Sequence, residues 1–185
     1  MTDTVNVIGN ICQKHAAAKI IADKQEGDDM LYEKKGNLVT DKSIRVFCHQ
    51  TNCFGTMKAG IARQIAEEYP AVEEKDKWYM RSNGPGAILG TILPVPCLDR
   101  RTCINMYSQY KYGTKKRLTD YTAMTKCFSL LERFVKENVP KDAAIGFPYM
   151  MGCGLGGGDW NIVKSFIQNF SENVPNPVYI VEFEK

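Results

Sequence analysis

Two glycine-dense loops constrain this chain most, because each leaves a short buried strand and runs directly into an amphipathic helix. The first follows Ile44-Arg-Val-Phe-Cys-His49, a β-branched and apolar run suited to a strand inside a sheet, and extends through Gln-Thr-Asn-Cys-Phe-Gly-Thr-Met-Lys-Ala-Gly-Ile to Ala62. Ile61, Ile65 and Ala66 then recur at helical spacing between Ala59 and Tyr69, and Pro70 stops the run. The second loop, Met151-Gly-Cys-Gly-Leu-Gly-Gly-Gly-Asp-Trp160, follows the apolar stretch Ala143 to Pro148. It precedes a helix from Trp160 to Phe170 with Val163, Phe166, Ile167 and Phe170 inward.

The remaining chain fits between these units. A polar helix is expected over Val72 to Met80, closed by the turn signal Ser82-Asn83-Gly84-Pro85. Ile88 to Val95 and Thr102 to Ser108 read as strands joined around Leu98-Asp99-Arg100, a connection too short for a helix, so the pair is antiparallel. Tyr121, Met124, Phe128, Leu131 and Val135 step by three and four along a helix that Thr119 or Asp120 can cap. Tyr179 to Phe183 is a final strand. Strand-loop-helix units with one hairpin-like exception predict a three-layer α/β/α domain with a mixed central sheet, whose ligand sits at the carboxyl ends of the strands. That domain is expected over residues 31–185. Residues 1–30 read as an N-terminal extension, with a candidate strand at Val5 to Ile11 and helix at Ala16 to Asp23.

Composition narrows the classes of function. The formal charge of +3, from 24 basic and 21 acidic residues, is too small for electrostatic capture of nucleic acid, which is expected only as part of a modified substrate. No apolar run approaches the roughly 20 residues of a membrane span, and the N-terminus has no secretory pattern, so a cytoplasmic protein with no membrane partner is expected. The 7 cysteines have no zinc-ligand spacing and read as reduced thiols; no metal and no cofactor are expected. Oligomeric state is left open.

The loops themselves carry the chemistry. Glycine removes the Cβ that blocks close approach, and a helix start adds partial positive charge, so exposed N–H groups in such loops suit a phosphate or diphosphate. The spacing of the second loop matches neither the P-loop nor the dinucleotide fingerprint. Asn52 offers donors and an acceptor to sugar hydroxyls, and Gly55 and Gly60 admit a phosphate to the backbone. His49 reads as a buried, hydrogen-bonded strand-end histidine.

Cys48-His-Gln-Thr-Asn-Cys-Phe-Gly-Thr-Met-Lys-Ala-Gly-Ile-Ala62 together with Gly152-Cys-Gly-Leu-Gly-Gly-Gly-Asp-Trp160 resembles the macrodomain family over about Leu31 to Glu184. Within it the pattern is closest to the branch of phage-type Appr-1″-p processing proteins, terminal ADP-ribose protein glycohydrolase and DNA ADP-ribosyl glycohydrolase. The resemblance implies ADP-ribose or an ADP-ribosylated substrate as partner. Gly36-Asn-Leu38 matches the family's Gly-Asp-Ile/Leu, so Asn37 and Leu38 fall at the adenine end, with an amide oxygen able to accept the amine where the family has a carboxylate. Asn52 matches the asparagine facing the distal ribose. Met57, Gly60, Ile61 and Ala62 match one phosphate wall, Met151, Gly152, Cys153, Gly154, Leu155, Gly156 and Gly157 match the other, and Gln109 joins the ligand set.

For catalysis the resemblance implies first an enzyme that hydrolyses an ADP-ribosyl linkage or the 1″-phosphate of ADP-ribose 1″-phosphate, and as the alternative a reader that binds ADP-ribose without cleaving it. Asn52, Lys111 and Asp159 are the candidates. The family's glycohydrolase aspartate falls at Gly156, and its lysine falls near Tyr110 or Lys111. Asp159 is a substitute carboxylate or simply the cap of the last helix. Lys111, with Lys115, Lys116 and Arg117, either guides an anionic substrate or lies on a solvated loop.

Overall fold

In this computed structural model, residues 30–113 and 117–184 are described. The candidate strand at Val5 to Ile11 and helix at Ala16 to Asp23 lie outside them, as do Lys115 and Lys116. The elements in chain order are β1 (Leu31–Gly36), β2 (Ile44–Asn52), α1 (Gly60–Glu68), α2 (Pro70–Asn83), α3 (Pro85–Ile88), β3 (Ile92–Pro96), β4 (Thr102–Gln109), α4 (Tyr121–Asn138), β5 (Ala144–Pro148), α5 (Trp160–Asn173) and β6 (Val178–Phe183). The strands form one sheet of order β1-β6-β5-β2-β4-β3. Every neighbouring pair is parallel except the edge pair β3 and β4, so the sheet is mixed as expected.

Alternation along the strands makes two large cores, beside a smaller cluster of Cys53, Ile88 and Tyr107. Cys48, Ile104, Met106, Ile145 and Phe147 meet Met124, Phe128 and Leu131 of α4 and Val163, Ile167 and Phe170 of α5. On the opposite face Ile44, Phe47, Cys103 and Val181 meet Ile65 of α1 and Val72 of α2. Ile44 and Val46, two residues apart, belong to different cores because β2 shifts register against β5 between them. The inner strands β2, β4 and β5 are buried on both faces, which is why they read as continuous apolar runs rather than alternating ones.

Several boundaries differ from expectation for local reasons. Pro70 ends α1 and also opens α2, since a proline at the first helical position loses no hydrogen bond. The segment from Ile88 begins as helix: Gly84, at φ 79°, terminates α2, Pro85 starts the one-turn α3, and β3 follows at Ile92. Asp120 rather than Thr119 caps α4, accepting the Ala123 N–H at 2.9 Å. No helix among the described residues is long and apolar enough to cross a membrane. The six described cysteines are all free thiols.

Candidate ligand cleft

The carboxyl ends of β1, β2, β4, β5 and β6 open on one cleft of about 640 Å³. Of the candidates from the sequence, Asn37, Leu38, Asn52, Gly60, Ile61, Ala62, Gln109, Met151, Gly152, Gly154, Leu155 and Gly156 line it. Along the sheet order it runs from an end walled by Asn37, Leu38, Val181 and Phe183, past the two loops, to an end at Gln109 and Tyr112. Met57, Cys153, Gly157, Lys111 and Asp159 are not among its lining residues.

The first wall is shaped by Asn52. Its Nδ2 donates to Thr56 O at 2.8 Å and its Oδ1 accepts from Phe54 N–H at 3.0 Å, so the buried amide closes the turn that delivers the chain to α1. Met57 is inside the core behind this turn. Gly60, at φ 56°, then starts α1 with Ala59 as N-cap and no side-chain cap, leaving its first-turn N–H groups available where Lys58 and Ala59 to Ala62 face the cleft. This is a place prepared for an anion.

The second wall stands on a polar pillar. Thr119 Oγ1 donates to Gly152 O at 2.7 Å, and Gln50 Nε2 donates to Thr119 Oγ1 and to Gln109 Oε1, each at 2.9 Å. Ser108 adds a bond to Gln50 Oε1 at 3.0 Å, and the Leu118 and Thr119 N–H groups donate to Gly156 O. The loop is pressed so closely on this pillar that a Cβ at Gly152 would lie 2.5 Å from Gln50 Oε1, and one at Gly156 would lie 2.5 Å from Gly152 O. Gly154 differs, with nothing within 4 Å of the corresponding point. Three of the loop glycines, Gly152, Gly156 and Gly158, are therefore required by packing underneath, apart from any ligand above.

Asp159 is a cap. Its Oδ1 accepts the Asn161 N–H at 2.8 Å, and its own N–H donates to the Tyr121 hydroxyl at 2.8 Å. A carboxylate at the start of α5 offsets the positive end of that helix, so the open helix start at the cleft is that of α1. Lys111 is exposed, and its carbonyl accepts from Gln109 Nε2 at 2.6 Å. Beside it Phe54 packs edge-on against Tyr110 and Tyr112. The Cys153 thiol donates to Met151 O at 3.3 Å, and burial pushes its pKa up, away from a reactive thiolate. Among the described lining residues Lys58 is the one charged side chain, and there is no carboxylate.

Asn37 is tied into its own turn at the cleft rim. Its Oδ1 accepts the Val39 N–H at 2.9 Å in a turn whose carbonyl also takes the Thr40 and Asp41 N–H groups. One lone pair of the amide oxygen is thus taken by the backbone.

His49 lies behind the cleft, fully buried, with Nε2–H donating to Asn105 Oδ1 at 2.7 Å. Asn105 Nδ2 donates in turn to Asp76 Oδ1 at 3.3 Å, which also accepts the Tyr107 hydroxyl at 2.6 Å. Burial lowers the His49 pKa to about 4, against the opposing bond to Asn105. Above about pH 6.5 the imidazole is neutral in folded and unfolded chains alike; between there and about 4 only the unfolded chain takes up the proton. Stability should fall across that window by about 3 kcal/mol, with Asp76, whose pKa burial raises, offsetting part of the loss at its acid end. Urea unfolding at pH 7 and pH 4.5 checks this, since His49→Gln should flatten the slope; an equally steep slope in the variant would assign it elsewhere.

With this geometry in hand, comparison with known proteins identifies the fold. No protein-family model matches the chain. A 17.5 kDa protein from the tk-vs intergenic region of Enterobacteria phage T4 is 28% identical over 141 residues, 74% of this chain and 84% of that protein. The ADP-ribose 1″-phosphate phosphatase of Saccharomyces cerevisiae (strain YJM789) is 26% identical over 169 residues, 78% of this chain and 95% of the yeast protein. Among solved structures, the macrodomain of Mycobacterium tuberculosis DarG superposes with a TM-score of 0.71 at 20% identity, covering 85% of this chain and 100% of that one. Thermosipho africanus DarTG in complex with ADP-ribose superposes with a TM-score of 0.68 at 15% identity, covering 83% and 42%. The chain is a macrodomain by fold.

Proposed function

We propose that this chain binds ADP-ribose in the cleft and hydrolyses the group carried at C1″ of the distal ribose. The observation that carries the reading is the uncapped start of α1, with Lys58 beside it, facing the Gly152 to Gly156 loop across one cleft. That pairing suits a diphosphate, and the family resemblance, rather than the geometry, then assigns the base to the Asn37 end and the distal ribose toward Gln109. The yeast relative's phosphatase activity supports the hydrolytic half. With no carboxylate lining the described cleft, turnover would rest on holding the ribose and an attacking water in register and on N–H groups facing the developing charge. The acceptor is a protein, a nucleic acid or a phosphate.

The same lack of a lining carboxylate favours a second reading, a reader that binds ADP-ribose without cleaving it. Titration with ADP-ribose, with AMP and NAD as controls, tests the binding common to both. Release of ADP-ribose from ADP-ribosylated protein or nucleic acid, or of phosphate from ADP-ribose 1″-phosphate, separates them. Asn52→Ala should abolish binding and release, and should cost about 1–3 kcal/mol of stability through the two lost loop bonds. Undiminished binding by a folded Asn52→Ala chain would move the ligand away from this cleft.

A further inference from the structure

Asn37 fixes the polarity of one end of the cleft. Its Oδ1 receives the Val39 N–H, and turning the amide over would set an NH₂ group against that N–H, so the hydrogen-bond network orients the side chain. The turn cannot easily yield, because Asn37 O holds the Thr40 and Asp41 N–H groups while Arg101 holds Leu38 O and Val39 O from below. Asn37 Nδ2 has no protein partner among the described residues, and its neighbours along the cleft, Leu38, Val181 and Phe183, are apolar. This end is an apolar slot with a pair of amide donors.

A planar ring bound there meets the slot with its faces and the donors with its edge. We infer that Asn37 selects a ring bearing a carbonyl on that edge, a 6-oxopurine, over one bearing an amine. The inference rests on the reading that the cleft takes a nucleoside diphosphate-ribose. An oxo group accepts from Nδ2–H, whereas the amine of adenine would bring donor against donor unless it shared the second lone pair of an oxygen already engaged by Val39. A carboxylate at the same position would behave oppositely: one oxygen would keep the Val39 N–H and the other would accept an amine.

The experiment is calorimetric titration of the full chain, and of its Asn37→Asp variant, with ADP-ribose and with its hypoxanthine counterpart, inosine diphosphate-ribose. The chain should bind the hypoxanthine ligand at least as tightly as ADP-ribose, and Asn37→Asp should shift the ratio of affinities toward adenine by about tenfold. Tighter binding of ADP-ribose by the unaltered chain would overturn the inference while leaving the cleft assignment standing, and an unchanged ratio in Asn37→Asp would overturn the role of Asn37. If neither ligand binds, the cleft assignment itself fails.

Discussion

Gly156→Ala should weaken ligand binding by tenfold or more and cost about 1–3 kcal/mol of stability, while Gly154→Ala should change stability by less than about 0.5 kcal/mol. The difference follows from what each new methyl group meets. At Gly156 it would lie 2.5 Å from Gly152 O, 2.7 Å from Thr119 Oγ1 and 2.9 Å from Gln50 Nε2. Gly152 O is backbone, and it already accepts from Thr119 Oγ1 and from the Gly158 N–H, so it cannot retreat without breaking the bonds that hold the loop to its pillar. At Gly154 the methyl would enter open space. Binding then distinguishes the two kinds of glycine: loss at Gly154 without loss of stability would locate a ligand group against that backbone, and full binding would leave the position free. The same geometry explains why the carboxylate that the resemblance places at position 156 is absent. Gly156→Asp should fail to install a general base and should destabilise the loop as alanine does. Calorimetric titration beside urea unfolding on these variants provides the measurement, and a fully stable Gly156→Ala would contradict the packing argument.

What could be seen in the sequence was what local chemistry decides. The step of three and four from Tyr121 to Val135 specifies α4, and the continuous apolar runs at Ile44 and Ala143 specify strands buried on both faces, because each pattern reports its own surroundings. The cap at Asp159 was legible for the same reason, as a carboxylate at the residue before a helix. β1 was not, since Leu-Tyr-Glu-Lys-Lys-Gly at a sheet edge carries charges on its open side and no apolar run. The pillar under the second loop was also hidden: Gln50 and Thr119 are 69 residues apart, and neither type announces a partner at that distance. The direction of the Asn37 amide had a local signal, because an asparagine leading a turn commonly bonds the N–H two residues on.

Arg101 was the least visible of all, and its removal should have the largest effect on stability. It follows the exposed turn at Leu98 to Arg100, where a cation ordinarily faces solvent, yet its side chain is buried. Nε donates to Ile44 O at 2.8 Å, Nη2 donates to Leu38 O at 2.7 Å, and Nη1 donates to Val39 O and to the Tyr69 hydroxyl at 3.0 Å. The guanidinium also lies 4.3 Å from the centre of the Phe47 ring. One planar group thus ties the Asn37 turn to β2 and satisfies three main-chain carbonyls that have no water to fall back on. Arg101→Met keeps the stem and removes the donors, and should cost about 3–5 kcal/mol, the range in which a buried polar network is broken from one side. Arg101→Lys should recover only a small part, because one ammonium cannot reach carbonyls arranged around a fork. Ligand binding should fall with stability in both variants, since the turn that carries Asn37 and Leu38 loses its support from below. Urea midpoints of the two variants test this. A lysine variant as stable as the parent would mean that charge alone, rather than the planar fork, holds the turn in place.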